Sequence, residues 1–198
     1  MKLKNARFFV GLGVFVALLV LASSIRLEGQ YADMASIRDE NKDIIMIEAS
    51  WYNNTEAPIS IVEGTANDWA WARTQPWCSI GNGSIGNPYR IENVTIDCGG
   101  SGSGISISNS RGIYFTIYNC TILNAGTNAG DAGIRLQDTT NGTLVQNNCS
   151  NNGEDGIYLE ADSSYINITG NILSDNIDDG LEIYDYCDYV SVSENQIN

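Results

Sequence analysis

DGIYLEADSSYINITGNILSDN, residues 155–176, is the stretch that decides the fold. Ile157 and Leu159 are apolar with Tyr158 and Glu160 between and after them, and Ile166 and Ile168 alternate again beyond a polar turn. Period two marks a strand with one buried face. The stretch therefore holds short strands and tight corners, and too little apolar surface to fold alone. It must stack on copies of itself.

The copies lie on either side. Gly104-Ile105-Ser106-Ile107, Gly133-Ile134-Arg135-Leu136, Gly156-Ile157-Tyr158-Leu159 and Gly180-Leu181-Glu182-Ile183 open four units spaced by 29, 23 and 24 residues. A second alternating stretch follows in each: Phe115/Ile117, Leu144 or Val145, Ile166/Ile168, Val190/Val192. Fifteen residues after each glycine stands an asparagine, Asn119, Asn148, Asn171 and Asn195. Stacked at one offset, these predict an asparagine ladder in which each side-chain amide bonds the next. The Phe115/Ile117 phase suggests a one-residue shift in the first unit, which would put Cys120 in the ladder in place of Asn119. A leucine-rich repeat would need an LxxLxLxxN pattern, which is absent. Short strands, polar corners that tolerate positive φ and a stacked polar residue fit a right-handed parallel β-helix solenoid, an all-β fold.

Units such as DGIYLEADSSYINITGNILSDN resemble the parallel β-helix repeats of the pectin-lyase-like superfamily, which includes NosD-like periplasmic proteins, carbohydrate-binding modules and sugar hydrolases. APISIVEGTANDWAWA and SIGNGSIGNPYRIENVTID, upstream, are similar to the opening segment of exported archaeal β-helix proteins. The resemblance spans residues 57–198. It implies the fold; because the superfamily holds lyases, hydrolases, binding modules and surface-layer components, it implies no single activity.

At the N-terminus, Lys2, Lys4 and Arg7 precede an apolar run from Phe8 to Ala22 with Ser23 and Ser24 behind it. Basic start, apolar stretch and small residues are the pattern of a signal peptide over residues 1–24. The other reading is an uncleaved anchor, with membrane contact through residues 8–25. Either places the rest outside the cytoplasm, secreted or at the cell surface. Residues 25–56 are expected as a linker or stalk with a short strand at Ile44 to Ile47, 57–98 as an N-terminal cap and first strands, and 99–198 as the helix repeats. Ala57 to Val62 is expected as a strand and Tyr89 to Asp97 as the start of the helix proper. Between them, Thr65 or Asn67 would cap a short helix ending before Pro76. Its Trp69, Trp71 and Trp77 would cover the open end of the apolar column.

Charge and composition exclude whole classes. Beyond the basic start, seven basic residues face 24 acidic ones, a net charge of −17. Such a surface repels phosphate backbones, so nucleic acid is not an expected partner. There is no histidine, which excludes Ser-His-Asp triads and zinc sites of the Cys/His kind. Five cysteines in an exported chain permit disulfides but leave at least one unpaired. Cys120 and Cys149 share the 29-residue step of Gly104 and Gly133, so they are expected on adjacent coils as packed thiols without a bond.

Two sets of outward residues remain as candidates. Asp131, Glu154 and Asp178 stand two residues before a repeat glycine, and Asp155 and Asp179 stand one before. Brought together on neighbouring coils, they form either a calcium site or a solvated acidic corner. No cofactor is otherwise required. The strand faces present Arg135, Tyr158, Glu160, Glu182 and Tyr184, a polar surface with aromatics that suits a glycan or a surface protein, or else an ordinary solvent face. Two functional classes follow: a binding or scaffolding module at the cell surface, or the N-terminal part of a lyase or glycoside hydrolase. A lyase needs a base, and the coils offer only Arg90, Arg111 and Arg135.

Overall fold

A computed structural model describes residues 54–198 throughout and, ahead of them, four short strands: Ala17–Leu21, Ser24–Glu28, Ser36–Arg38 and Ile44–Met46. The chain divides into two units, Met1–Tyr52 and Asn53–Asn198. In the first, the strands pair antiparallel in consecutive twos. The strand expected near Ile44 is one of them. The remainder of the segments read as signal peptide or anchor and as stalk lies outside the described residues. Among the described residues, no helix is long and apolar enough to cross a membrane.

The second unit is a parallel β-solenoid of about four coils. Each coil gives one strand to each of three sheets. Sheet A holds Tyr89–Glu92, Phe115–Tyr118, Gly142–Val145, Asn167–Thr169 and Ser191–Ser193. Sheet B holds Asn54–Glu56, Val94–Asp97, Thr121–Leu123, Asn148–Cys149, Ile172–Leu173 and Gln196–Ile197. Sheet C holds Ile59–Val62, Ile105–Ser108, Ala132–Gln137, Asp155–Glu160 and Leu181–Ile183.

Apolar residues repeat in register down each sheet. Ile91, Ile117, Leu144, Ile168 and Val192 align in sheet A. Ile59, Ile105, Ile134, Ile157 and Leu181 align in sheet C, with Ile61, Ile107, Leu136, Leu159 and Ile183 as a second column. Down to Leu159 and Ile168 these side chains are buried, and their transfer from water is the main favourable term. Gly142 sits under Phe115, where a Cβ would come within 2.5 Å of the ring. Its bareness makes room for the aromatic.

Corners bend because single residues take positive φ. Between sheets A and B those residues are Asn93, Asn119, Gln146, Gly170 and Glu194, with φ from 50° to 65°. Tyr89 to Asp97, expected as the start of the helix proper, holds two strands, Tyr89–Glu92 and Val94–Asp97, with Asn93 as the corner between them. The strand expected from Ala57 to Val62 is present as Ile59–Val62 in sheet C, and a separate strand, Asn54–Glu56 in sheet B, precedes it.

The helix is shorter than expected, Trp69–Ala72 followed by a 3-10 turn at Pro76–Cys78. Its N-cap is Asp68, not Thr65 or Asn67: Asp68 Oδ1 accepts from the Trp71 N–H at 3.0 Å, while Thr65 closes a turn onto the Val62 carbonyl. Trp69 is buried, stacks on Tyr89 at 4.9 Å and leans on Phe115 at 5.4 Å. Its indole N–H reaches the buried Ser110 Oγ at 2.6 Å, which satisfies the one polar group that burial would strand. Trp77 is buried beside Trp71 in an edge-on contact.

All five cysteines are free thiols, four of them buried. Cys149 aligns with Ile122, and Cys120 lies one step before the Thr121–Asn148 pair. Cys120 and Cys149 therefore occupy adjacent coils but not the same ladder position. Burial pushes the thiols of Cys78 and Cys120 up to about 12, so they pack as small apolar groups.

Candidate functional site

The polar ladder is real but its membership differs. Asn147 and Asn171 each donate to the Oδ1 of the next asparagine, Asn171 and Asn195, at 3.0 and 2.9 Å. Their amides also reach inward carbonyls, Ile117 O at 3.0 Å and Leu144 O at 2.9 Å. Asn148, expected in this row, sits one residue further on in the sheet B strand with a covered Oδ1 that has no donor. Asn119 is also out of the ladder. It is the exposed corner residue, bonded to Asn93 Oδ1 at 2.8 Å. Cys120 takes the ladder place, and its N–H meets Asn147 Oδ1 at 3.0 Å.

A second ladder went unnoticed in the sequence. Asn152 donates to Asn176 Oδ1 at 3.1 Å, and Asn176 donates to the Cys149 carbonyl at 3.1 Å. Both stand four residues before a repeat glycine, Gly156 and Gly180, and that spacing was the available signal. It also explains the glycines. A Cβ on Gly133 would lie 3.0 Å from Asn152 Nδ2, and one on Gly156 would lie 2.7 Å from Asn176 Nδ2 and 2.5 Å from the Gly180 carbonyl.

Sheet C carries the candidate binding face. Arg135 aligns with Tyr158 and Tyr158 with Glu182, while Gln137 aligns with Glu160 in the next outward row. Arg135 Nε donates to Glu160 Oε1 at 2.8 Å and Nη2 bonds the same oxygen. Tyr158 is buried, with Gly130 of the preceding turn against its ring edge. Burial and the Glu160 and Glu182 carboxylates push its hydroxyl up to about 12. Tyr184 is open to solvent. Of the five predicted binding residues, then, Arg135 and Glu160 are occupied with each other, Tyr158 is buried, Glu182 is half-buried, and Tyr184 is open to solvent.

The five acids of the corner do not converge. Asp131 turns back into its own loop, accepting from the N–H and side-chain amide of Asn128 at 3.1 and 3.0 Å. Asp155 is fully covered, and its Oδ1 accepts from the Asp179 N–H at 3.0 Å. Its Oδ2 and the Oε2 of Glu154 are covered and have no donor. Among the described residues, no group of three or more histidine, cysteine or carboxylate side chains converges to hold a metal ion. Burial, then the nearby Glu182, Glu154 and Asp178 charges, push the Asp155 carboxyl up to about 7. Glu182 is raised too, first by burial and then by Asp179, while a contact with Asp155 lowers it.

The three arginines of the coils are all paired. Arg90 meets Glu92 at 2.7 Å, Arg135 meets Glu160, and Arg111 bridges Asp138 and Asp162 on the two following coils. An open groove of about 560 Å³ runs along the corner between sheets B and C, lined by Asp97, Asn124, Thr127, Asn151, Asp175 and Ile177. On the corner between sheets C and A, Tyr165 and Tyr189 stack at 4.7 Å with nearly parallel rings.

A three-sheeted parallel solenoid with inward asparagine rows defines the class as a parallel β-helix. The sequence agrees: residues 78–198 match the right-handed β-helix region family, and the chain belongs to that family. Among curated proteins and among solved structures, no match to the chain was found.

Proposed function

We propose that this chain is an extracytoplasmic β-helix module that binds a glycan or protein partner, or scaffolds one, at the cell surface and catalyses no reaction. Kinship with the pectin-lyase-like superfamily, in its NosD-like exported form, belongs to the same reading. The observation that carries it is the state of Arg135. It is the basic residue of the outward row on the sheet C strand face, and both of its side-chain hydrogen bonds go to Glu160. The basic N-terminus followed by an apolar run supports export.

One observation favours a second reading. The Asp155 carboxyl is pushed up to about 7 beside other carboxylates, and a raised carboxyl next to an ionised one is the combination a glycosidase uses for acid and base. It is fully covered, so a sugar does not reach it, and the binding reading stands ahead. The test is a glycan-array screen run beside assays for released unsaturated uronate and reducing sugar. Retention without release is expected. Release that disappears in Asp155→Asn would overturn the reading in favour of a carbohydrate-active enzyme.

A further inference from the structure

We infer that the tyrosine-bearing corner between sheets C and A is a docking surface for a cationic polypeptide segment rich in lysine or arginine. The inference rests on the binding-module reading above and names the partner.

The tyrosines stand where folding asks for something else. The Asn141 N–H bonds the Ser164 carbonyl and the Tyr165 N–H bonds the Asp188 carbonyl, so Asn141, Tyr165 and Tyr189 share one corner position on successive coils. All three have positive φ, 65°, 58° and 56°. Asparagine enters that region readily, whereas a bulky ring there is an outlier with a cost of order 1 kcal/mol. Stacking returns part of that cost. It does not bury the rings, which remain 57% and 73% exposed. Tyr186, again at positive φ, is 81% exposed, and Tyr184 is 58% exposed. The stacked rings of Tyr165 and Tyr189 thus contribute little to the core.

Charge decides the occupant. From Leu136 to Asn198 the chain has 12 acidic residues and no lysine or arginine. Asp162, Asp185 and Asp188 flank the tyrosines in sequence. Arg111 reaches Asp162, whereas Asp185 and Asp188 have no cationic partner among the described residues. Ammonium and guanidinium groups bind over tyrosine faces, and the surrounding acids draw them in. A neutral glycan gains from the rings and nothing from the charge. Nucleic acid and anionic lipid are repelled.

The experiment titrates fluorescein-labelled decalysine into the full chain at 150 mM sodium chloride, read by anisotropy, with unlabelled chitohexaose as competitor. The variants are Tyr165→Asn with Tyr189→Asn, which repeat the residue found at Asn141 and leave net charge unchanged, and Tyr186→Asn alone. Binding of decalysine, weakened about tenfold in the double variant and measurably in Tyr186→Asn, with chitohexaose inert, is expected. Unchanged affinity in the variants means diffuse charge attraction and overturns the inference, as does no binding of decalysine. Displacement by chitohexaose also overturns it while leaving the binding-module reading intact. Release of sugar from a glycan would sink that reading instead, so the two failures are told apart.

Discussion

Asp155→Asn should make the protein more stable at alkaline pH and leave it unchanged in acid. The carboxyl rises from 3.8 to about 7 on folding because burial and the Glu182, Glu154 and Asp178 charges disfavour its ionised form. Below about pH 4 the group is neutral in both folded and unfolded chains. Between about pH 4 and 7 the folded chain keeps a proton that the unfolded chain has released, so stability falls as pH rises. Above about 7 the penalty is complete. A rise of that size corresponds to roughly 4 kcal/mol; water reaching the neighbouring acids screens it, and we take about half, ~2 kcal/mol. Asparagine keeps an oxygen for the Asp179 N–H, which now bonds Asp155 Oδ1 at 3.0 Å, and its amide nitrogen offers Glu182 a donor that needs no proton. The assay is urea unfolding at pH 4 and 8.5 with reductant present, comparing midpoints at constant slope. The expected gain is about 2 kcal/mol at pH 8.5 and under about 0.5 kcal/mol at pH 4. General repulsion across a chain carrying −14 also weakens the fold as pH rises, but does so in both proteins. Parallel pH profiles for parent and variant would therefore refute a proton held at Asp155.

Asn171→Leu should lower stability by about 2 kcal/mol or more, because the buried Asn147 N–H loses its acceptor and the Leu144 carbonyl loses the Asn171 amide donor inside the solenoid, while Asn195 Oδ1 keeps only the residue-171 backbone N–H. Asn167→Leu, at an exposed position, should cost under about 0.5 kcal/mol by the same thermal melt, and equal shifts would contradict the ladder. Gly156→Ala should cost about 1–3 kcal/mol in denaturant unfolding, since its Cβ would press on the Gly180 carbonyl at 2.5 Å; a neutral result would show that the coils can spread. Calcium, magnesium and sodium chloride at matched ionic strength should raise the melting temperature equally, by screening. A calcium-specific rise abolished by Asp155→Asn plus Asp179→Asn would establish an ion site at the acidic corner after all.

How far the sequence could be followed is clearest at the asparagine ladder. Counting from the repeat glycine puts the row at a constant offset and yields Asn119 and Asn148, both misplaced by one. The reason is a variable corner between sheets C and A. From the second inward residue of sheet C to the inward residue of sheet A the chain takes 10 residues from Ile107 to Ile117, 8 from Leu136 to Leu144 and 9 from Leu159 to Ile168. Beyond that corner the geometry is fixed. Ile117 to Cys120, Leu144 to Asn147, Ile168 to Asn171 and Val192 to Asn195 are all steps of three. Counting from the nearer apolar residue finds the true row, because a tight turn through one positive-φ residue cannot change length without losing the buried hydrogen bonds that follow it.

The outward side yields less to such counting, for a physical reason. Inward positions repeat because every coil meets the same constraint, the same column and the same ladder, so chemistry and spacing recur together. Outward side chains answer only to neighbours on other coils. Arg111 finds Asp138 and Asp162 at separations of 27 and 51 residues, and those partners depend on two corners of different length. The acids expected to form one cluster divide for the same reason. Asp131 belongs to a coil with a longer turn and folds back on Asn128, while Asp155 aligns with Ala132 and lies under its neighbours. A row of acids in sequence thus becomes a loop cap, a covered carboxyl and a solvent edge, three environments with different chemistry. The tyrosines show the converse. Nothing in the column or the ladder calls for Tyr165 and Tyr189 at a corner that Asn141 fills more cheaply, so the place where the fold's own rules are broken is where a partner's chemistry is to be sought.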